Sequence, residues 1–573
     1  MDNQTKTPNF NKKLNEILEN LKPHQKTCEQ CNNNFEIFQE DIEFYKMLQV
    51  PPPKLCPECR KQNRLAFSNY TTFYKRKCDA PNHSEKIISQ IPENTCFPVY
   101  DCDYYWSDNW DSINYGKDYN FSELFFEQFK KLLEKVPQPA TTRDPKSVNS
   151  DYSSYGIELK DCYYIFGGMK AENISYGNWP VETRDSIDVL VASNSEFCYE
   201  VVNIKNCYNC KFAYFSSYCL DSAFIYDCHN CQNCFGCVNL RNKKYHFFNE
   251  PLTKEKYEEK MKNIDLGNRE ILFKYQEKFF KLIEILPKRN VFNKITVNST
   301  GTLLENCKNC FHCFLTRNGE NIRFSNFAIN TKDSMDLLGI NTINCYNSIV
   351  IMGNHIYFSV NTRDQSLEVE YLMNCRNCSY CFGCIGLNKK EFCILNKQYS
   401  KEKYYELLDK IKIQMLKDKE YGEFFPSSFS PFPYNGSMAQ ISFPLTEEKA
   451  KEKGLNWVEP PFPEFTGKIL KYSEVPKNIK DVSDEILDCI ILCEKTGKPF
   501  RIIKSELEFY RKKNLPIPII CPAERLRQRF SWIGFLNFEE TFCSKCKTKI
   551  LVNYRGNFKE NILCEKCYLS EVA

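Results

Sequence analysis

The chain has 573 residues, 42% hydrophobic and 26% charged, which allows three to five globular domains and excludes a disordered or low-complexity chain. Its net charge is only +4, so a uniformly basic surface is excluded and any nucleic-acid contact needs a local basic patch. Cysteine is abundant at 32 residues, aromatics reach 14%, and glycine is scarce at 20.

Residues 1–24 read as a polar, helical tail without an apolar signal region, and no run of 18 apolar residues follows. These features predict a cytoplasmic protein with no membrane contact. In a reducing compartment disulfides do not persist, so dense CxxC spacing points to metal.

Residues 25–112 are predicted to be a tandem ribbon module, the first ribbon intact and the second degenerate. Cys28 and Cys31 form one CxxC, Cys56 and Cys59 a second. Each CxxC turn offers two thiolates, and two such turns complete a tetrahedral zinc site. The following cysteines, Cys78, Cys96 and Cys102 with His83, form a weaker candidate set of irregular spacing. Val99 and Pro81 stand where ligands are expected.

The C-terminus, 485–573, repeats this module at a shift of 465 residues, with the order of intact and degenerate ribbons reversed. Cys28 aligns with Cys493, Cys56 with Cys521 and Arg64 with Arg529, but Thr496 and Glu524 replace Cys31 and Cys59. Two thiolates make a poor zinc site, so packing is expected to keep this copy's shape. Cys543, Cys546, Cys564 and Cys567 make the second complete set. Two zinc ions per chain are therefore expected.

The pattern C-x2-C-x3-F…E-F-Y…P-x-P-K-x-C-P-x-C-R resembles the zinc-ribbon, treble-clef-type domain. The whole chain is similar to multi-ribbon, cysteine-rich proteins of small-genome uncultured bacteria. The resemblance covers the two ends closely and the middle loosely, and it brings no activity with it.

The middle is a second duplication, predicted as 115–265 and 270–412. "AENISYGNWPVETRDSIDVL" (171–190) matches "GENIRFSNFAINTKDSMDLL" (319–338), and 228–256 matches 375–403. Each half reads as a helix, β-rich coils and a closing helix, with Thr253 and Ser400 as N-caps of the closing helices. Between the helices an [Asn/Asp]-[Cys/Ser] dipeptide recurs every 21 residues, at Asp185, Asn206 and Asp227. Repeats of roughly 20 residues signal a solenoid. The predicted fold is mainly β with helices: ribbon modules at both ends flank a duplicated, parallel β-helix-like solenoid. Segment 413–484, rich in Pro and Phe, reads as a linker wrapped over a surface.

The runs Cys228, Cys231, Cys234, Cys237 and Cys375, Cys378, Cys381, Cys384 leave four readings open. They are stacked corners of a solenoid, a zinc site, an iron–sulfur cluster, or a thiol centre with His229 as base. Walker, GxGxxG, HExxH and GxSxG motifs are absent. The recurring Thr-[Arg/Lys]-Asp at 142–144, 183–185, 331–333 and 362–364 reads as turn chemistry.

Arg60, Lys61 and Arg64 follow the first zinc knuckles, and Arg525, Arg527 and Arg529 follow the copy. Arginine among aromatics suits phosphate contact and base stacking. The expected function is a non-enzymatic zinc scaffold contacting nucleic acid or a nucleoprotein through these residues. The alternatives are a metal- or thiol-dependent enzyme and a purely protein-binding scaffold.

Overall fold

The computed structural model describes residues 6–460, 467–553 and 560–572. The chain forms two compact units, neither contiguous in sequence. One comprises Met1–Thr141 and Phe292–Val458, the other Thr142–Val291 and Glu459–Ala573. Each unit thus joins one terminal cysteine-rich region to one half of the duplicated middle. The architecture is mainly β, with 13 α-helices and two large sheets among the described residues.

Each large sheet has its strands in sequence order, ten from Ser153 to Pro251 and eight from Lys294 to Gln398. Neighbours run parallel, and pairing joins each residue to one about 12 further on. Ile187 pairs with Tyr199, Tyr199 with Lys211 and Lys211 with Ala223 in the first, and Gly301 with Cys313 in the second. Both ladders close in short antiparallel hairpins, Phe247 with Glu250 and Ile394 with Lys397.

The backbone repeats on a shorter step. Every third residue from Tyr155 to Phe248 has positive φ, with Gly167 and Gly236 taking two of these places. Asn, Asp and Gly tolerate this left-handed conformation best, which explains the frequency of Asn and Asp in the middle. From Ser186 to Val201 the residue after each such position faces the interior. Ser186, Val189, Ala192, Ser195, Cys198 and Val201 are all buried. The 21-residue rhythm is therefore seven of these three-residue steps; the true pairing interval is about 12.

Asn and Asp at the bends stack along the ladder, as in Asn209 Nδ2 to Asp221 Oδ1 (2.8 Å) and Asn318 Nδ2 to Asn330 Oδ1 (2.8 Å). The Thr-[Arg/Lys]-Asp motifs at 183–185 and 331–333 belong to this set, whereas Asp144 accepts the Lys146 and Glu158 N–H groups and Asp364 pairs with Arg376. Thr183 and Thr331 face inward, while Asp185 and Asp333 accept from Asn173 and Asn321.

Helices cover the outer faces in both halves, and the same contact recurs. Tyr275 of helix Arg269–Ile285 meets Phe235 edge-on at 5.2 Å, and Phe125 of helix Phe125–Leu133 meets Phe382 at 5.3 Å. In the second ladder the adjoining glycine is required for this approach. Gly383 has φ +64°, and a Cβ there would lie 2.9 Å from the Phe125 ring. Thr253 and Ser400 cap the helices Lys254–Lys262 and Lys401–Lys417, each accepting an N–H at 3.3 Å. After Lys417 the chain packs closely: Phe425 stacks on Phe129 at 4.6 Å and Phe424 meets Phe67 at 5.5 Å. Part of the Pro/Phe-rich stretch, 461–466, lies outside the described residues. Among the described residues no helix is long and apolar enough to cross a membrane.

Candidate metal centres

Three knuckles share one local design. A hairpin carries the first cysteine pair, a left-handed residue four positions after its first cysteine turns the chain, and a helix N-terminus carries the second pair. The turning residues are Asn32 (φ 60°), Gly497 (φ 66°) and Lys547 (φ 61°). The hairpins are His24–Thr27 with Asn34–Ile37, Cys489–Leu492 with Pro499–Phe500, and Glu539–Phe542 with Lys549–Val552. The helices are Pro57–Ala66, Pro522–Trp532 and Glu565–Val572.

In the first, the sulfurs of Cys28, Cys31, Cys56 and Cys59 lie within 4.8 Å of one another. Cys31 Sγ is 3.8 Å from Cys56 Sγ, and the Cys56 N–H donates to Cys28 Sγ at 3.3 Å. Hydrogen bonds from Cys59, with further ones from Cys28 and Cys31, hold the Cys56 thiol down at about 5 against the cost of burial. In the last, Cys543, Cys546, Cys564 and Cys567 gather within the same limit. Cys546 Sγ is 3.7 Å from Cys564 Sγ. Burial opposes ionisation of Cys543, but backbone N–H groups of Cys546, Cys564 and Lys545 outweigh it and bring it to about 6. Four thiols at ligand spacing, with backbone N–H···S bonds to Cys28 and Cys543, fit a tetrahedral ion.

The middle knuckle keeps the geometry without the ligands. Thr496 Oγ1 sits 3.8 Å from Cys521 Sγ, where Cys31 sits against Cys56, and the Cys521 N–H donates to Cys493 Sγ at the same 3.3 Å. Glu524, in the place of Cys59, pairs with Lys495 (3.5 Å) and Arg527 (2.8 Å). Hydrogen bonds and ion pairs thus replace the metal.

Cys78, His83, Cys96 and Cys102 do not converge. Cys78 lies in an apolar cluster with Ile87, Ile91 and Val99 and accepts the Asp101 N–H at 3.2 Å. His83 turns to Glu85 at 2.6 Å, and Cys96 is exposed. Among the described residues the two four-cysteine groups are the only clusters with ligand spacing.

The runs Cys228–Cys237 and Cys375–Cys384 are interior. Spaced by three, their residues occupy successive inward positions of the ladders, all buried. Each thiol donates to backbone carbonyls instead of meeting three others around a point. Cys228 Sγ bonds Tyr226 O and Cys237 O at 3.5 and 3.4 Å; Cys375 Sγ bonds Met373 O and Cys384 O at 3.4 and 3.6 Å. Cys231, Cys234, Cys237, Cys378, Cys381 and Cys384 repeat the pattern. Serines do the same elsewhere: Ser216 Oγ bonds Tyr214 O and accepts the Cys228 N–H. A thiol here is a small apolar group that also satisfies the backbone. Converting Cys228, Cys231, Cys234 and Cys237 to serine is expected to leave the bound metal count unchanged and to cost about 1 kcal/mol per site, read by elemental analysis and denaturant melts. Loss of metal from this variant would overturn the assignment.

The basic residues occupy a different place from the one expected. Arg60, Lys61, Arg64, Arg525 and Arg529 are all buried. Arg60 Nε lies 2.7 Å from Asp336 Oδ2, and Arg64 Nη1 lies 3.0 Å from Asp336 Oδ1. In the other unit Arg525 and Arg529 grip Asp188 at 2.8 and 2.7 Å. Lys61 reaches Glu58 at 3.6 Å and lies over the rings of Phe314 and Phe443. Only Arg527 of the six is substantially exposed, and it pairs with Glu524. These side chains clamp each knuckle's helix onto its ladder, so they are not offered to phosphates. Sequence reading missed the partners because Asp188 and Asp336 are distant in the chain; their equivalence within the duplicated stretch was the available signal.

A hydrogen-bonded row of Ser217, His229 and Asp227 also went unread. Ser217 Oγ lies 2.6 Å from His229 Nδ1, and His229 Nε2 lies 2.7 Å from Asp227 Oδ1. Ser217 is buried, and Asp227 is tied to Arg241, Arg289 and the Tyr568 hydroxyl. The row fastens the last helix to its ladder.

No family model and no curated protein matches the chain. Among solved structures, a candidate acetyltransferase from Desulfovibrio desulfuricans G20 is similar over 48% of this chain and 81% of its own, at 9% identity and a TM-score of 0.09. A likeness that slight carries no argument about fold or activity.

Proposed function

We propose that the chain is a cytoplasmic, non-enzymatic scaffold that binds a protein partner. In this reading the two ladders are parallel β-solenoids with four three-residue sides per coil. The flanking modules are treble-clef-type zinc ribbons, two holding Zn²⁺ and one held by ion pairs. The 12-residue pairing and the bend at every third residue support the solenoid; the two four-cysteine groups support the metal count.

The observation that carries the partner class is an apolar patch on a side of the first ladder. Tyr208, Tyr218 and Leu220 are 44%, 53% and 40% exposed, with Tyr208 and Leu220 bridged as ladder neighbours. The Phe197 ring meets Tyr208 edge-on at 5.5 Å. Clustered tyrosines with aliphatic neighbours characterise protein interfaces. The nucleic-acid or nucleoprotein reading retains only Arg527 of its six basic residues, and that one is already paired.

The test uses the full chain and a Tyr208→Glu, Leu220→Glu variant. Elemental analysis should return two zinc ions and no iron in both. Partner capture from the native host should be lost in the variant but resist nuclease. Labelled single-stranded oligonucleotides should show no binding by anisotropy, even at low salt. Salt-sensitive oligonucleotide binding, or equal capture by both proteins, would overturn the reading.

A further inference from the structure

Where the metal-free ribbon meets its ladder there is a half-open cavity of about 110 Å³. Its wall comes from three elements of one unit: the ladder (Glu200, Phe212), helix Arg269–Ile285 (Arg269, Phe273) and the ribbon (Ile517, Arg525). Most of this lining is apolar, but two guanidinium groups are built into it.

Arg269 is only 7% exposed and makes no ion pair with a carboxylate among the described residues. Its Nη atoms donate to the carbonyls of Val475, Pro476 and Ile517, at 3.3, 2.9 and 3.3 Å, and its buried Nε–H has no acceptor. Arg525 is buried as well. It holds Asp188 and Glu506 through its Nη atoms, and its Nε–H also has no acceptor. A buried cation with no carboxylate in contact, and buried donors without acceptors, are costly unless something supplies the missing oxygen.

The local charge supports the same conclusion. Arg525 and Arg529 face Asp188, Glu506 and Glu200, whereas the carboxylate that acts on Arg269 is Glu494, beyond ion-pair distance. Burial pushes the Glu200 carboxyl up to about 7, although Arg529 opposes the shift, which favours the neutral form of this group. Asp188 and Glu506 then balance Arg525 and Arg529, and Arg269 is left with no carboxylate in contact. The other knuckle lacks this arrangement: Asn347, which Arg64 meets as Arg529 meets Glu200, stands at the place corresponding to Glu200, and Tyr119 at that of Arg269.

We propose that this cavity is a binding site for a small organic carboxylate, its oxygens taken by Arg269 and Arg525 and its short apolar body by the walls. A closed cavity of about 150 Å³ accepts benzene; this one is smaller but open on one side, so it suits a carboxylic acid of roughly three to five carbons whose far end reaches the mouth. Inorganic phosphate shares the charge but has no apolar body to place against Phe212, Phe273 and Ile517.

The probes are propionate, butyrate and valerate, with butyramide and inorganic phosphate as controls. They are titrated into the full-length, metal-loaded protein by calorimetry and thermal melting. One carboxylate should bind saturably and raise the melting temperature, and the amide should not. Arg269→Gln should weaken binding at least tenfold. Because that variant leaves Ile517 and its neighbours short of donors, a second variant, Gln276→Trp, blocks the cavity rim without touching the charges and should abolish binding. No saturable carboxylate binding, equal binding of phosphate, or binding that survives Gln276→Trp would overturn the proposal. Partner capture is read separately, so failure here leaves the scaffold reading standing.

Discussion

Cys56→Ser is expected to unfold the first ribbon, whereas Cys521→Ser should cost only about 1 kcal/mol. The two cysteines are counterparts, and both begin a helix whose N–H donates to a cysteine sulfur at 3.3 Å. They differ in what surrounds them. Cys56 is one of four sulfurs within 4.8 Å of one another, and a structural zinc ion contributes folding energy on the order of 10 kcal/mol. Removing one ligand forfeits most of it. Cys521 faces Thr496 Oγ1 at 3.8 Å, and serine preserves that contact nearly unchanged. Elemental analysis should fall from two metal ions to one in Cys56→Ser and stay at two in Cys521→Ser. Proteolysis should open only the former. Equal thermal shifts in the two variants would contradict the assignment of one ribbon as metal-held and the other as packed.

The second large effect is expected at two aspartates. Asp336→Ala should destabilise its unit by about 3–5 kcal/mol, because it strands the buried guanidinium groups of Arg60 and Arg64. Asp188→Ala should do the same to the other unit through Arg525 and Arg529. Both aspartates are fully buried and sit at left-handed bends of their ladders, so the cost is not relieved by water. Screening is weak inside, and melting should change little with salt. The triple change Asp336→Leu, Arg60→Met, Arg64→Met should recover much of the loss, because a filled apolar site needs no counter-charge. A shift under about 1 kcal/mol for Asp336→Ala, or no recovery in the triple variant, would show that the clamp is not electrostatic.

This clamp explains why both knuckles carry the arginines although one has only two of the four cysteines. The charge has a role separate from zinc, but that role is internal. Sequence spacing located the arginines on helices beside the knuckles, and the structure places them there. Which face of those helices turns inward depended on the ladder surface opposite, which local sequence does not reveal.

The cysteine runs make the same point from the other side. A CxxC pair looks identical in a knuckle and in a ladder. In the knuckle, Asn32 or Lys547 in the left-handed conformation folds the chain so that both sulfurs turn to one point. In the ladder every third residue bends, so sulfurs three apart follow the interior and each finds a carbonyl.

Sequence by itself determined the two complete ligand sets, the decayed third knuckle, the duplication of ends and middle, the helix caps at Thr253 and Ser400, and the corner role of Asn and Asp. All of these rest on short-range chemistry, in which ligand spacing, capping hydroxyls and backbone tolerance act within a few residues. The tertiary structure decided the 12-residue pairing, the burial of the arginines against Asp188 and Asp336, and the failure of Cys78, His83, Cys96 and Cys102 to meet. Each of these depends on which distant surfaces come together, and there the desolvation of charge and the filling of an interior outweigh any local preference.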